Sequence, residues 1–220
     1  MRTELKMRLA RWLVGLLALP LSHAVLKGDQ PESQTVVFLG DSLAAGLGVE
    51  REEAFPSIIQ DKINQAGLSC QVQNAGFSGD TTAGGVRRLA WVLKRKADVL
   101  VIELGGNDGL RGLATEETKK NLGIIIDRAR KANPDMRIVL AGMQMPQNMG
   151  PEYTKAYQEI FPAVVKEKEV TLIPSLLEGV GGVAELNQPD LIHPNPEGHQ
   201  RVAENVWKVL EPLLRAGVGD

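Results

Sequence analysis

The chain has 220 residues, 43% of them hydrophobic and 24% charged, with a formal net charge of −2. This length supports one domain with a substantial core and is short for two ordinary ones. The balanced charge carries no basic stripe, which argues against nucleic-acid binding. The single cysteine, Cys70, excludes an intrachain disulfide framework and a cysteine zinc cluster, and three histidines make a multi-histidine metal site a poor fit.

Arg2, Lys6, Arg8 and Arg11 precede the apolar run Trp12-Leu13-Val14-Gly15-Leu16-Leu17-Ala18-Leu19, and Ser22-His23-Ala24 follows. A basic head, an apolar middle and small residues at the expected cut have the layout of a secretory signal peptide. The run is shorter than the roughly 20 residues that span a bilayer, and no cysteine near the cut offers a lipid anchor. The expectation is a signal peptide over residues 1–24 and a single domain over 25–220. The mature protein would be periplasmic or secreted, with no stable membrane insertion. An uncleaved N-terminal anchor is the competing reading. Cleavage after Ala24 removes four basic residues and one acidic residue, leaving a more acidic chain.

Thr35-Val36-Val37-Phe38-Leu39, ending at Gly40, reads as a buried strand. Phe55, Ile58, Ile59 and Ile63 recur at helical spacing, with Pro56 suited to a first turn. Cys70 to Ala75 is a weaker strand, and Val86, Leu89, Ala90 and Leu93 mark a second helix face. The cations Arg87, Arg88, Lys94, Arg95 and Lys96 around that face read as solvated surface. Asp98 to Leu104 is the strongest strand. A helix stripe of Leu122, Ile125, Ile126 and Ala129 stops at Asn133-Pro134. A strand at Ile138 to Ala141, a helix at Ala156 to Lys166 and a strand at Val170 to Ile173 follow. Asn195 caps and Pro196 opens the last helix. This β-α alternation predicts an α/β protein with a parallel sheet covered on both faces, a flavodoxin-like three-layer α/β/α arrangement with five strands.

In such a sheet, ligands gather beyond the carboxyl ends of the strands where strand order reverses. A flavodoxin-like order puts that point between strands one and three. Gly40-Asp41-Ser42-Leu43 follows strand one and Gly105-Gly106-Asn107-Asp108 follows strand three. Gly40 is expected to permit a sharp turn that exposes the Ser42 hydroxyl. A hydroxyl needs a base to attack. His193, with Asp190 three residues before it, can offer Nε2 to the serine while the carboxylate holds Nδ1. His199 lacks such an acid and reads as a surface or capping residue. Oxyanion donors are expected from Asn107, from the Gly79 backbone N–H and from the Ser42 N–H. Ser78 is a rival nucleophile, and Asp80 or Thr81 a helix cap. No G-x-S-x-G elbow, P-loop or G-x-G-x-x-G fingerprint is present.

Gly-Asp-Ser-Leu, the glycine of Ser-Gly-Asp-Thr, Gly-Gly-Asn-Asp and Asp-x-x-His-Pro occur in that order, and the chain from Thr35 to Leu214 resembles the SGNH (GDSL) hydrolase family. The resemblance implies the SGNH hydrolase fold and cofactor-free serine esterase chemistry. It carries the nucleophile to Ser42, the oxyanion donors to Ser42, Gly79 and Asn107, and the acid–base pair to Asp190 and His193, with no metal. The stretches Val101–Gly112 and Asn74–Thr82 are most similar to the bacterial thioesterase I, lysophospholipase and arylesterase branch.

Gln144–Pro151 and Glu178–Gln188 are expected to frame an acyl pocket. Leu110, Met143, Met145 and Met149 are candidate substrate contacts, the three methionines being equally suited to filling gaps after the fourth strand. Leu113 is a further apolar wall candidate, and Trp91 and Trp207 read as core. The expected activity is hydrolysis of small-molecule esters or thioesters of hydrophobic acyl groups by a monomer. A carbohydrate O-acetylesterase of the same family is the alternative. A non-catalytic ligand-binding module and a metal-dependent hydrolase using Asp190 and His193 are the readings from other classes.

Overall fold

A computed structural model describes residues 33–217, so the proposed signal peptide lies outside the described residues. The described residues hold five strands: β1 (Gln34–Gly40), β2 (Cys70–Gly76), β3 (Val99–Glu103), β4 (Arg137–Ala141) and β5 (Thr171–Ile173). They form one sheet in the order β2-β1-β3-β4-β5, with every pairing parallel. The chain steps from β1 outward to β2 and then returns to β3 on the other side of β1. The order therefore reverses between β1 and β3, as a flavodoxin-like sheet requires.

Among the described residues, seven α-helices accompany the sheet: α1 (Ser42–Ala45), α2 (Phe55–Gln65), α3 (Thr82–Val92), α4 (Gly106–Leu110), α5 (Thr115–Ala132), α6 (Pro151–Lys168) and α7 (Pro196–Ala216). α2 packs on α7, while α3, α5 and α6 form a second row, giving the three-layer α/β/α fold. The burial of the strands follows from this. Val36 to Leu39 and all of Val99 to Glu103 are buried, because both faces of a parallel sheet are covered. β2, at the edge, is half-exposed over most of its length. Phe55, Ile59 and Ile63 sit at zero exposure on α2, which packs against β2 and α7, and the Phe55 ring meets Phe38 of β1 edge-on. Each contributes on the order of 1.5–3 kcal/mol by leaving water.

Several helix ends are those expected from local chemistry. Asn195 accepts the Gly198 N–H at 3.0 Å and Pro196 occupies the first turn of α7. Thr81 caps α3 by accepting the Gly84 N–H. α6 begins at Pro151, five residues before the expected Ala156, because proline is tolerated in a first turn.

Three side chains, Trp91, Arg88 and His199, depart from expectation. Trp91 is 68% exposed on α3, so it is not a core residue. Trp207 is partly buried against the core. Arg88 points inward from α3, donating to the Gly40 and Ala75 carbonyls at 2.7 and 2.6 Å and pairing with Asp80 at 2.5 Å. It stitches together the ends of β1 and β2. His199 is 1% exposed, stacks on Phe55 and accepts the Phe55 N–H through Nδ1 at 3.2 Å. Among the described residues no helix is long and apolar enough to cross a membrane.

Candidate active site

The site assembles where β1 ends. Gly40 does not adopt a positive φ, so the expected conformational reason for a glycine there is replaced by a steric one. A Cβ on Gly40 would lie 2.4 Å from Glu103 Oε2 and 2.5 Å from the Ala44 Cβ. Asp41 then caps α1, its Oδ1 accepting the Leu43 N–H at 3.0 Å. Ser42 becomes the first residue of that short helix. Asn74 on β2 holds the other end of α1 by donating to the Ala44 carbonyl at 2.6 Å.

His193 reaches Ser42 from the far end of the chain. Its Nε2 lies 2.9 Å from the Ser42 Oγ, and its Nδ1 lies 2.6 Å from Asp190 Oδ2. Asp190 Oδ1 accepts the backbone N–H of Ile192 and of His193, at 2.9 and 3.0 Å, winding the loop into one tight turn. Burial alone would raise the Asp190 pKa, but the bonds from the His193 ring and these two N–H groups outweigh it and hold the group at about 2. An ionised carboxylate only accepts, so Nδ1 carries a proton and Nε2 is left to accept from the serine hydroxyl. The loop itself is pinned at its base. The Gln188 N–H bonds the His193 carbonyl at 2.8 Å, and the Asn195 N–H bonds the Leu186 carbonyl at 3.0 Å. Gln188 also donates to the Leu47 carbonyl at 2.6 Å, joining the histidine loop to the segment after α1.

Two further loops border Ser42. Phe77 to Asp80 form a turn closed by the Asp80 N–H on the Phe77 carbonyl at 3.0 Å. Gly79 stands third in it with φ of 80°, a conformation that favours glycine. Among the described residues the Gly79 N–H has no partner, and neither does the Ser42 N–H. Asn107, at the start of α4, donates one amide hydrogen to Asp41 Oδ2 at 3.1 Å and keeps the second. Asp108 beside it is buried and accepts both the N–H and the hydroxyl of Thr82, at 2.9 and 2.5 Å. Arg111 donates to the Gly79 carbonyl at 2.9 Å. Asp108 and Arg111 thus lock the Asn107 loop to the Gly79 loop. The arrangement offers a hydroxyl aligned with a base and three N–H donors on neighbouring segments, the parts required for acyl transfer.

The substrate-contact candidates divide. Leu110 is 37% exposed, and Leu113 is also exposed. Met143 and Met145 are buried in the core, and a Cβ on Gly109 would meet the Met145 sulfur at 2.1 Å. Met145 thus fills space beneath α4 at Gly109. Met149 is partly buried against the same core. Ser78 is exposed, and no base is bonded to it among the described residues. Asp41, Glu103, Asp108, Arg111 and Gln188 escaped the sequence reading, because each acts through a partner distant in the chain. The signal that could have found Glu103 is a carboxylate inside the apolar run Val99–Leu104.

Residues 38–201 match the GDSL-like Lipase/Acylhydrolase family. Esterase TesA of Pseudomonas aeruginosa is 41% identical over 203 residues, covering 92% of this chain and 98% of the relative. Thioesterase 1/protease 1/lysophospholipase L1 of Escherichia coli is 36% identical over 183 residues, covering 83% and 86% respectively. A crystal structure of TesA superposes with a TM-score of 0.78 over 82% of this chain and 99% of the other. The chain therefore belongs to the GDSL-like lipase/acylhydrolase family and is a carboxylic ester hydrolase of the serine esterase/thioesterase type.

Proposed function

We propose that Ser42, His193 and Asp190 carry out this hydrolysis through an acyl-enzyme, on esters and thioesters of hydrophobic acyl groups. The observation that supports it best is the relay from Ser42 Oγ through the imidazole to Asp190, 2.9 and 2.6 Å long, between residues 151 positions apart. Ser42 Oγ attacks the acyl carbon as its proton passes to His193 Nε2. The carbonyl oxygen takes up the negative charge, facing the N–H groups of Ser42 and Gly79 and the free amide hydrogen of Asn107. The bond to the leaving oxygen or sulfur then breaks, and the imidazolium supplies that atom's proton. Water enters, gives a proton to His193, and attacks the acyl-serine. The carbon–Oγ bond breaks and the proton returns to Oγ, restoring the enzyme.

The preference for hydrophobic acyl groups has its own support. Leu47, Phe77, Leu110, Leu113 and Leu191 are exposed on the segments that follow Ser42, precede Gly79, follow Asn107 and precede His193. Apolar side chains at these places can shield an acyl chain from water. The enzyme acts as a monomer outside the cytoplasm after loss of residues 1–24. Turnover of p-nitrophenyl acetate, octanoate and palmitate, beside an acyl thioester and an acetylated sugar, tests the substrate class. Activity rising from acetate to octanoate is expected. Activity confined to the acetylated sugar would overturn the reading. The mass of the exported protein checks the cleavage after Ala24.

A further inference from the structure

Two carboxyl groups lie buried behind Ser42 and take no direct part in the reaction above. Glu103 ends the central strand β3 at zero exposure, and Asp41 is 2% exposed. Glu103 Oε2 accepts the backbone N–H of Asp41 at 3.0 Å and of Ala44 at 3.1 Å, the residues that bracket Ser42. Asp41 Oδ1 takes the Leu43 N–H and Oδ2 takes the Asn107 amide. Both oxygens of Asp41 are thus occupied by N–H donors, whereas Glu103 Oε1 receives none. Glu103 Oε2 accepts the backbone N–H of Asp41 itself, so the two buried carboxyl groups are neighbours and each acts on the other's charge. Neighbouring buried carboxyl groups avoid mutual repulsion when one of them carries a proton.

The surroundings explain where that proton sits. No ion pair reaches either group among the described residues. Arg88, which bonds the Gly40 carbonyl, ion-pairs with Asp80. A positive charge on His193 favours the charged form of Asp41. Two unpaired negative charges side by side in the interior are strongly unfavourable. Burial and the neighbouring Asp41 charge both push Glu103 well above the carboxylate range. Burial also raises Asp41, to about 6, against the bonds from Leu43 and Asn107. The space is made by Gly40, since any larger residue would collide with Glu103 Oε2.

We propose that Asp41 and Glu103 are a singly protonated carboxyl pair, with the proton on Glu103, that positions Ser42 and Asn107 relative to each other. The inference rests on the proposed roles of those two residues. Neutral Glu103 holds the N–H groups on either side of Ser42 and supports the one remaining charge. Charged Asp41 aims the Asn107 amide, so that its second hydrogen faces the developing oxyanion. Asp41 and Glu103 are positioning residues.

Three measurements decide it. Glu103→Gln keeps an acceptor for the two N–H groups and mimics a neutral acid, so kcat stays within about threefold, while Glu103→Leu loses far more. A large loss in Glu103→Gln would mean the carboxylate form is required and overturns the proposal. Asp41→Asn leaves one acceptor oxygen for two donors. Its kcat is expected to fall about 10–100-fold with KM little changed, because an oxyanion donor is misplaced. In an Asn107→Ala background the same change costs less than about threefold, since coupled residues are not additive. Equal losses in both backgrounds, or no effect of Asn107→Ala alone, would overturn it. Infrared spectroscopy at pH 8 gives a readout independent of activity. Wild-type protein shows the carbonyl stretch of a neutral carboxylic acid, which Glu103→Gln removes; its absence from wild type overturns the proposal even if Asp41→Asn does not fold. Labelling of Ser42 by an organophosphonate separates the two levels. Additive effects with labelling intact sink the carboxyl pair alone, whereas loss of labelling sinks the mechanism beneath it.

Discussion

His199 makes the fold sensitive to acid. The ring is 1% exposed, packed on Phe55, and its Nδ1 accepts the Phe55 N–H. Burial lowers its pKa from 6.5 to about 4, even though Glu53 pulls the other way. Below pH 6.5 the unfolded chain gains a proton that the folded chain refuses until about pH 4. Stability is therefore full above 6.5 and falls as pH drops through that window. The complete loss is about 3 kcal/mol, and about 2 kcal/mol of it falls between pH 7 and pH 5. His199→Asn places an oxygen near the position of Nδ1, keeps the bond to Phe55 and removes the titration. Lost ring packing costs the variant the same at every pH. Urea unfolding of both proteins at pH 7 and pH 5 isolates the effect, because contributions from the other titrating groups largely cancel between them. Wild type should lose about 2 kcal/mol more than the variant over that interval. Equal losses would show that His199 is not buried in its neutral form.

Other substitutions separate chemistry from scaffold. Asp190→Ala removes the group that fixes the imidazole and should lower kcat about 10²–10⁴-fold, with KM nearly unchanged in steady-state assays. Unchanged kcat would exclude Asp190 as the orienting acid. Asn107→Ala deletes one oxyanion donor and should lower kcat about 10²–10³-fold; a rise in KM alone would assign the amide to ground-state binding. Tyr157→Phe removes the bond from the phenol to the Gly105 carbonyl, which still accepts the Gly109 N–H. With that partner retained, the cost should be about 1 kcal/mol in denaturant unfolding, and a loss above about 3 kcal/mol would mean the phenol has a larger structural role.

The sheet was legible because a parallel strand buried on both faces must be continuously apolar, as Val36–Leu39 and Val99–Ile102 are. The helices α2, α5 and α7 were legible from stripes at helical spacing. Ser42, His193 and Asp190 could be named because short polar motifs stand at strand ends and Asp190 is local to His193. α1 and α4 span four and five residues, too few for any periodicity to register. The errors at Trp91 and His199 share a cause. An apolar or amphipathic side chain suits either a core or a surface, and only the packed neighbour decides. Arg88 and Glu103 were hidden for a similar reason: their partners at Gly40 and Asp41 lie 48 and 62 residues away. Gly40 was legible as necessary but for the wrong reason, since its demand is for space beside Glu103.

The nucleophile can be identified by exposing purified protein to a fluorophosphonate and locating the adduct by peptide mass spectrometry. One adduct per chain is expected, on the peptide carrying Ser42, together with complete loss of ester hydrolysis. Ser42→Ala should be folded, inactive and unlabelled. An adduct on Ser78, or hydrolysis that survives in Ser42→Ala, would contradict the assignment of Ser42 and the mechanism built on it.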